Sequence, residues 1–158
     1  MKSDFVSNLV ACFQQHLGEN LVALVLFGSR ARGEARPESD YDLFLLARQL
    51  PERRFERVLF VRRIIAGQFA EKLAFTARTP EEFERGFPSL YLDLGLDGIL
   101  LYDSQGYMAA KLQRIREIIT QAGLQRKKLG DQMSWDWQKP PRGPWEITWE
   151  GGYRELRV

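Results

Sequence analysis

The sequence predicts a single α/β or α+β domain in which helices pack on a mixed β-sheet. Three observations predict this class. The chain has 158 residues, enough for one hydrophobic core. Its composition, 44% hydrophobic and 28% charged, is typical of a folded globular protein. Short apolar runs alternate with helical patterns, which is the arrangement of strands separated by helices.

The first half of the chain supplies two strands, each preceded or followed by a helix. Ser3 can cap a first helix that ends at Gly18. Residues 21–27 form a short continuous apolar run, which favours a strand covered on both faces. Residues 40–46 predict a second strand, and Pro51 suits the first position of the next helix. The inner stripe expected for that helix is Phe55, Val58, Leu59, Arg62 and Ile65.

The second half repeats the alternation. Residues 73–77 predict a third strand, and the sequence Thr-Pro-Glu-Glu at 79–82 is typical of a helix start. Residues 97–102 predict a fourth strand. A last helix is expected from Ser104 to the neighbourhood of Gly123. The sheet should therefore contain four strands of mixed direction.

The tail after this helix is rich in tryptophan. Residues 135–149 alternate around Pro-Pro-Arg-Gly-Pro, which predicts a hairpin of two short strands. We expect a main domain over residues 1–125 and an extension over 126–158 that packs on it.

The tryptophans of the tail have three possible roles. Basic residues lie between them, which would allow nucleic-acid binding by stacking of bases on the rings. The near balance of charge instead favours rings that cover an open edge of the sheet, with a protein-docking surface as the alternative. The tryptophans are Trp135, Trp137, Trp145 and Trp149.

Composition excludes several classes of function. The net charge of +2 is too small to indicate a polyanion-binding protein by itself. The single cysteine, Cys12, excludes an intrachain disulfide and a Cys-rich zinc site and suits a reducing cytosol. The single histidine, His16, lies on the first predicted helix, where a structural role is expected. The longest apolar run is far shorter than the roughly 20 residues that span a bilayer, and no leader pattern opens the chain. We therefore expect a cytoplasmic protein without a membrane segment.

A Gly-Ser turn directly follows the first strand. Gly28 lets a phosphate approach the main chain, and Ser29 adds a hydroxyl donor. The backbone N–H groups at the start of a helix are unpaired and favour an anion. Arg30 and Arg32 can supply positive charge. These four residues predict a cradle for nucleotide phosphates.

Two carboxylates begin the second strand. Asp40 and Asp42 lie two residues apart, so they share one face of the strand. Without a counter-charge they would repel, and one would be forced towards its protonated form. Oxygen ligands of this kind suit Mg²⁺ or Mn²⁺, which also bind nucleotide phosphates. Either motif alone is usually a loop or a solvated strand end, but both together, each beside an apolar strand, predict a nucleotide-and-metal site.

The combined pattern, Gly28-Ser29, ten intervening residues, then Asp40-x-Asp42, resembles the polymerase-β-like nucleotidyltransferase superfamily. The flanking Ala31-Arg32-Gly33 and Ser39 resemble its minimal (MNT) branch. The resemblance implies a mixed-sheet core that holds both motifs on its first two strands. It also implies transfer of a nucleoside monophosphate, with AMP from ATP as the expected case, to a hydroxyl, with two Mg²⁺ ions and pyrophosphate as product. Such in-line transfer mainly needs positioning and charge neutralisation.

The sequence departs from the family pattern at the third carboxylate. The resemblance implies an acid from the third strand, and the matching position here is Ala74. We expect Glu71 to replace it as third metal ligand or base, because a strand from Glu71 would also run from an acidic end to apolar positions. Some relatives, such as aminoglycoside adenylyltransferases, use a Glu at that point. In the alternative, Glu71 only caps the preceding helix, and Asp40 and Asp42 bind one metal and a nucleotide with weak or no turnover.

Three functions remain in competition. In the MNT branch, the resemblance implies an antitoxin that adenylylates a toxin of the HEPN class, which here would be a separate protein. A nucleotidyltransferase of the drug-resistance type is disfavoured, because those enzymes usually carry a sizeable helical substrate domain after the core. A catalytically silent module that binds a nucleotide or a partner, or forms an oligomer, is the third, and Ala74 is its main support.

Overall fold

The computed structural model describes residues 3–157. A four-stranded sheet has helices on both faces and is followed by two small hairpins. Among these residues, no helix is both long and apolar enough to cross a membrane. The elements are α1 (Ser3–Leu17), β1 (Leu21–Phe27), α2 (Gly28–Arg32), β2 (Tyr41–Ala47), α3 (Arg54–Ile65), β3 (Leu73–Arg78), α4 (Pro80–Arg85), α5 (Ser89–Asp97), β4 (Ile99–Asp103), α6 (Tyr107–Ala122), β5 (Leu124–Leu129), β6 (Gln132–Trp137), β7 (Trp145–Thr148) and β8 (Gly152–Glu155).

The sheet has the strand order β3-β2-β1-β4. Strand β1 is antiparallel to both β2 and β4, whereas β2 and β3 are parallel. The parallel pair needs a crossover connection, and α3 provides it. The predicted mixed sheet is therefore confirmed, and its central strand β1 is covered on both faces, as its continuous apolar run indicates.

Two apolar clusters sandwich the sheet. On one face, α1 and α3 pack against alternate sheet residues such as Leu24 and Leu43. On the other face, α4, α5 and α6 pack against Val25 and Phe44. Cys12 lies buried in the first cluster, in the packing role expected of a free thiol.

The inner face of α3 differs from the predicted stripe. The helix begins at Arg54, and its buried positions are Arg57, Val61 and Ile64, while Phe55 is 73% exposed. Arg57 takes an inward position because its guanidinium finds partners there. It donates to the carbonyls of Pro51 and Ala77, at 3.0 Å each, and to the Glu82 carboxylate at 3.1 Å. A buried cation with this many acceptors is stable, and no apolar periodicity reveals it.

The tail forms two hairpins rather than the one predicted. Strands β5 and β6 make the first tail hairpin, and β7 and β8 make the second. Strands β6 and β7, which were expected to pair, therefore lie in different sheets. The two-residue loop Gly130-Asp131 closes the first hairpin tightly, with Gly130 at φ +63°. The boundary expected at residue 125 falls inside β5.

Two of the tryptophans pack against the sheet's second cluster. The centroid of the Trp149 ring lies 5.0 Å from that of Phe83 and 4.8 Å from that of Phe87. The Trp149 Nε1 donates to the Phe83 carbonyl. Trp135 packs on the same cluster and donates to Asp93 at 2.9 Å. These two rings attach the tail hairpins to the domain, but they pack on the segment from α4 to α5 rather than over an open edge of the sheet, where they were predicted.

Candidate functional site

The Gly-Ser turn and the aspartate-bearing strand meet at one end of the sheet. Phe27, the last residue of β1, pairs with Asp42 of β2, so the residue that follows it lies beside the Asp42 side chain. Gly28 has φ +75°, and a Cβ built there would overlap the Asp42 carboxylate. Only glycine satisfies both requirements. We call the space bounded by Gly28, Ser29, Asp40 and Asp42 the motif crevice.

The electrostatics of the crevice favour a cation. Burial raises the pKa of Asp42, the neighbouring Asp40 charge raises it further, and Arg32 lowers it in part. Asp40 lies just before β2 and is exposed to solvent. A divalent cation would relieve the repulsion of this oxygen pair, and Mg²⁺ is commonly held by one or two carboxylates together with phosphates. The two aspartates therefore fit a metal whose remaining ligands include nucleotide phosphate oxygens.

Glu71 is not brought to this pair. In the parallel register Asp42 lies beside Ala74, and Tyr41 lies beside Leu73. Leu73 packs on the α1 side of the sheet, and Glu71 lines a surface hollow there with residues from the start of α1. Within residues 3–157, no group of three His, Cys, Asp or Glu side chains could hold a metal. The expectation that Glu71 joins the aspartates in a three-carboxylate site is corrected accordingly.

The reason is the alternation of side chains along β3. The residue that shares a face with Asp42 is Ala74, the position that the family pattern assigns to the third acid. Leu73 and Phe75 pack in the cluster on the α1 side of the sheet. Glu71, two residues before Leu73, lies on that side as well, away from the aspartates. The open end of β3 therefore presents a methyl group beside Asp42.

Arg30 supports the loop between α2 and β2. Its Nη2 donates to the carbonyls of Pro37 at 3.2 Å and Ser39 at 3.0 Å. Its guanidinium also lies 4.5 Å from the centroid of the Tyr41 ring. These contacts fix the loop that delivers Asp40 to the crevice.

Arg32 is anchored by a residue that the sequence did not single out. Its Nη1 donates to Asp97, the last residue of α5, at 3.1 Å, and its Nε donates to Glu34 at 3.2 Å. Asp97 is almost fully buried because Arg126 of β5 also binds it, with N–O distances of 2.6 and 2.9 Å. Asp97 and Arg126 are distant from Arg32 along the chain, and no local motif marks them.

The first tail hairpin forms one wall beside the crevice. A hollow of about 330 Å³ lies between Ser29 and Ser39 on one side and Lys128 and Asp131 on the other. An ion pair of 3.4 Å between Arg36 and Asp131 joins the two sides. The first tail hairpin therefore lies beside the Gly-Ser turn. Neither the composition of the tail nor its distance from the turn along the chain indicates this.

Comparisons with known proteins agree with this geometry. Residues 7–81 match the sequence profile of the family described as Polymerase beta, Nucleotidyltransferase. MJ1305 from Methanocaldococcus jannaschii, provisionally assigned as a protein adenylyltransferase, is 29% identical over 124 residues, which cover 75% of this chain and 84% of that protein.

Two solved structures show the same fold. A chain of a toxin–antitoxin determined with AMP-PNP aligns with a TM-score of 0.54 and 14% identity, over 73% of this chain and 87% of that chain. A chain from the complex of tri-AMPylated Shewanella oneidensis HEPN toxin with MNT antitoxin aligns with a TM-score of 0.52 and 12% identity, over 77% and 88%. The mixed sheet and the motif crevice at one end of it agree with the match to the family profile. Residues 7–81 match the polymerase beta nucleotidyltransferase family in sequence, and the chain shares the fold of the two solved structures.

Proposed function

We propose that this protein transfers AMP from ATP to a hydroxyl group of a partner protein in the presence of Mg²⁺. Asp40 and Asp42 hold the metal, and Gly28, Ser29 and Arg32 position the triphosphate. The observation that carries this proposal is the contact between the Asp42 carboxylate and the Gly28 backbone. It supports the proposal because the aspartate that would hold the metal and the turn that would bind the phosphates lie at the same point.

The residues of the crevice have separate tasks in such a transfer. Gly28 and Ser29 offer backbone N–H groups and a hydroxyl to phosphate oxygens, and Arg32 offsets their negative charge. Since α2 has only five residues, these direct donors rather than a helix dipole must supply the attraction. A divalent cation bound by Asp40 and Asp42 would neutralise charge that develops on the triphosphate.

The reaction itself is a substitution at the α-phosphorus. The acceptor oxygen forms a bond to this phosphorus, the bond to the bridging oxygen of the β-phosphate breaks, and pyrophosphate leaves with the electron pair. The acceptor hydroxyl proton passes to solvent. Because Ala74 lies where an acid would stand beside Asp42, the chain supplies no carboxylate at that position to take the proton. We therefore expect slow turnover.

Two similarities support a protein as acceptor. MJ1305 is provisionally assigned as a protein adenylyltransferase, and the fold is shared with an MNT antitoxin seen with an AMPylated HEPN toxin. We propose a toxin of the HEPN class, encoded as a separate chain, as the partner. The cytoplasm, which supplies ATP and Mg²⁺, is the proposed location.

Incubation with α-³²P-labelled ATP, Mg²⁺ and a HEPN-class protein from the same genome tests this function. We expect label on a hydroxyl-bearing side chain of the partner and release of unlabelled pyrophosphate. Label from γ-³²P-ATP should not transfer, and Asp42→Asn should abolish labelling. A folded wild-type protein that labels none of the HEPN-class proteins of its genome would contradict the proposal.

A catalytically silent nucleotide-binding module is the second candidate. The specific observation in its favour is Ala74 beside Asp42, with Glu71 on the other face of the sheet. Calorimetry separates the two functions. Binding of ATP and Mg²⁺ without pyrophosphate release, with or without the partner, favours the silent module.

A further inference from the structure

Arg126 of the first tail hairpin reaches into the domain beside the motif crevice. Its Nη1 and Nη2 bind both carboxylate oxygens of Asp97, at 2.6 and 2.9 Å. Nη1 also donates to Asp93 at 3.1 Å. The side chain of Arg126 is 10% exposed and that of Asp97 is 6% exposed. A two-point contact of this kind, screened from water, is among the strongest and best-oriented ion pairs in proteins.

The same carboxylate anchors Arg32. Asp97 accepts one hydrogen bond from Arg32, through Nη1 at 3.1 Å, while Glu34 accepts one from Nε. Among the described residues, Nη2 of Arg32 makes no hydrogen bond to the protein. Asp97 and Glu34 therefore orient the Arg32 guanidinium through Nη1 and Nε, while Nη2 is left for another acceptor.

Arg126 and Arg32 share the carboxylate of Asp97. If Arg126 were absent, two acids, Asp93 and Asp97, would lose a shared cation, and Asp97 would keep Arg32 as its partner. A buried carboxylate that has lost one of its two cations binds the remaining cation more tightly, since its charge is then less fully compensated. Arg32 would then be drawn towards α5 and away from the crevice.

We infer that Arg126 is a positioning residue of the nucleotide site. It neutralises Asp97, so that Asp97 orients Arg32 without withdrawing its charge from the triphosphate. The inference rests on the proposed function in one respect, namely that a triphosphate is the ligand of Arg32. It gives the first tail hairpin a role in nucleotide binding although the hairpin stands far from the Gly-Ser motif in the sequence.

The chain offers a matched control. Arg114 of α6 anchors the second tail hairpin, with Nε donating to the Trp149 carbonyl at 2.8 Å and Nη2 to the Glu150 carbonyl at 3.0 Å. Arg114 and Arg126 both attach a hairpin to the domain, but Arg126 alone of the two binds the carboxylate that anchors Arg32. Replacing each by Met thus separates loss of hairpin attachment from loss of positioning.

The experiment measures binding of AMP-PNP and Mg²⁺ by calorimetry, together with thermal unfolding. Arg126→Met should weaken binding about tenfold, the effect of impairing one charge-assisted phosphate contact. Arg114→Met should stay within about twofold of the wild type, although both variants unfold at a lower temperature. Arg126→Lys, which keeps the charge but loses the two-point contact, should be intermediate and guards against misfolding of the Met variant.

A double substitution distinguishes positioning of Arg32 from a purely structural role of Arg126. If Arg126 acts through Arg32, the variant with both Arg32→Met and Arg126→Met should bind AMP-PNP no more weakly than Arg32→Met alone. Full additivity of the two effects, or equal losses in Arg126→Met and Arg114→Met, would overturn the inference. Binding without any AMP transfer would overturn the proposed transfer reaction alone, and failure of the wild type to bind AMP-PNP would overturn both.

Discussion

The Asp42 carboxylate occupies the space that a side chain at Gly28 would need. Gly28→Ala should therefore displace Asp42 and weaken binding of Mg²⁺ and nucleotide at least tenfold. Gly33 provides the control, because it has the same φ of +75° and no atom lies within 4 Å of the place that a Cβ would take there. Both alanine variants should lose about 1–2 kcal/mol of stability from the left-handed backbone. Equal binding in the two variants would show that the contact with Asp42 has no functional consequence.

The second prediction concerns Asp42 and pH. Folding raises the pKa of Asp42, mainly through burial, so the folded state binds more protons than the unfolded state between the ordinary value of 3.8 and the raised value. Stability contributed by this group falls as the pH rises through that window. In the absence of metal, Asp42→Asn should therefore be more stable than the wild type at pH 7, and this difference should shrink as the pH falls towards 3.8.

Urea unfolding at several pH values measures this difference, and added Mg²⁺ provides a control. The metal should stabilise the wild type at pH 7 but not Asp42→Asn, because the variant lacks the carboxylate that the cation would neutralise. Equal stabilisation of both proteins by Mg²⁺ would place the cation away from Asp42.

The third prediction concerns the two candidate positions for a third acid. Ala74→Asp should place a carboxylate beside Asp42 and increase the rate of AMP transfer or the affinity for Mg²⁺, because residue 74 shares the face of Asp42. Glu71→Gln should leave both quantities within about twofold of the wild type, since Glu71 lies on the α1 side. Loss of activity in Glu71→Gln would restore Glu71 as ligand or base.

These positions also show what the sequence could and could not predict. The apolar run of β1, the Gly-Ser turn and the Asp-x-Asp pair are local signals, and β1 pairs with the strand that carries the aspartates, so the crevice could be predicted. The face of Glu71 could not be predicted, because a shift of one residue in a strand moves a side chain to the other side. The inward position of Arg57 was missed because its acceptors come from elements distant in sequence.

The tail illustrates a second limit. Alternation and turn residues indicate strands, but they do not decide which strands pair. The two-residue loop Gly130-Asp131 pairs β6 with β5, whereas the proline-rich segment between β6 and β7 does not bring those two strands together. Helix α5 was missed as well, and with it Asp97, its last residue.

The fourth prediction concerns the attachment of the second tail hairpin. Trp149→Ala removes ring contacts with Phe83, Phe87 and Tyr91 and should cost about 3 kcal/mol of stability. Trp145, on the same hairpin, is 46% exposed, and Trp145→Ala should cost less than about 1 kcal/mol. Chemical denaturation measures both. Similar losses in the two variants would mean that the hairpin is not held by Trp149.

A crystal structure with AMP-PNP and Mn²⁺, in which anomalous scattering locates the metal, tests whether the aspartates and the Gly-Ser turn bind a metal and a triphosphate together. We expect Mn²⁺ within coordination distance of the Asp40 and Asp42 carboxylates, with triphosphate oxygens against Gly28, Ser29 and Arg32. Manganese and triphosphate bound elsewhere on the molecule, with Asp42 uncoordinated, would contradict this expectation.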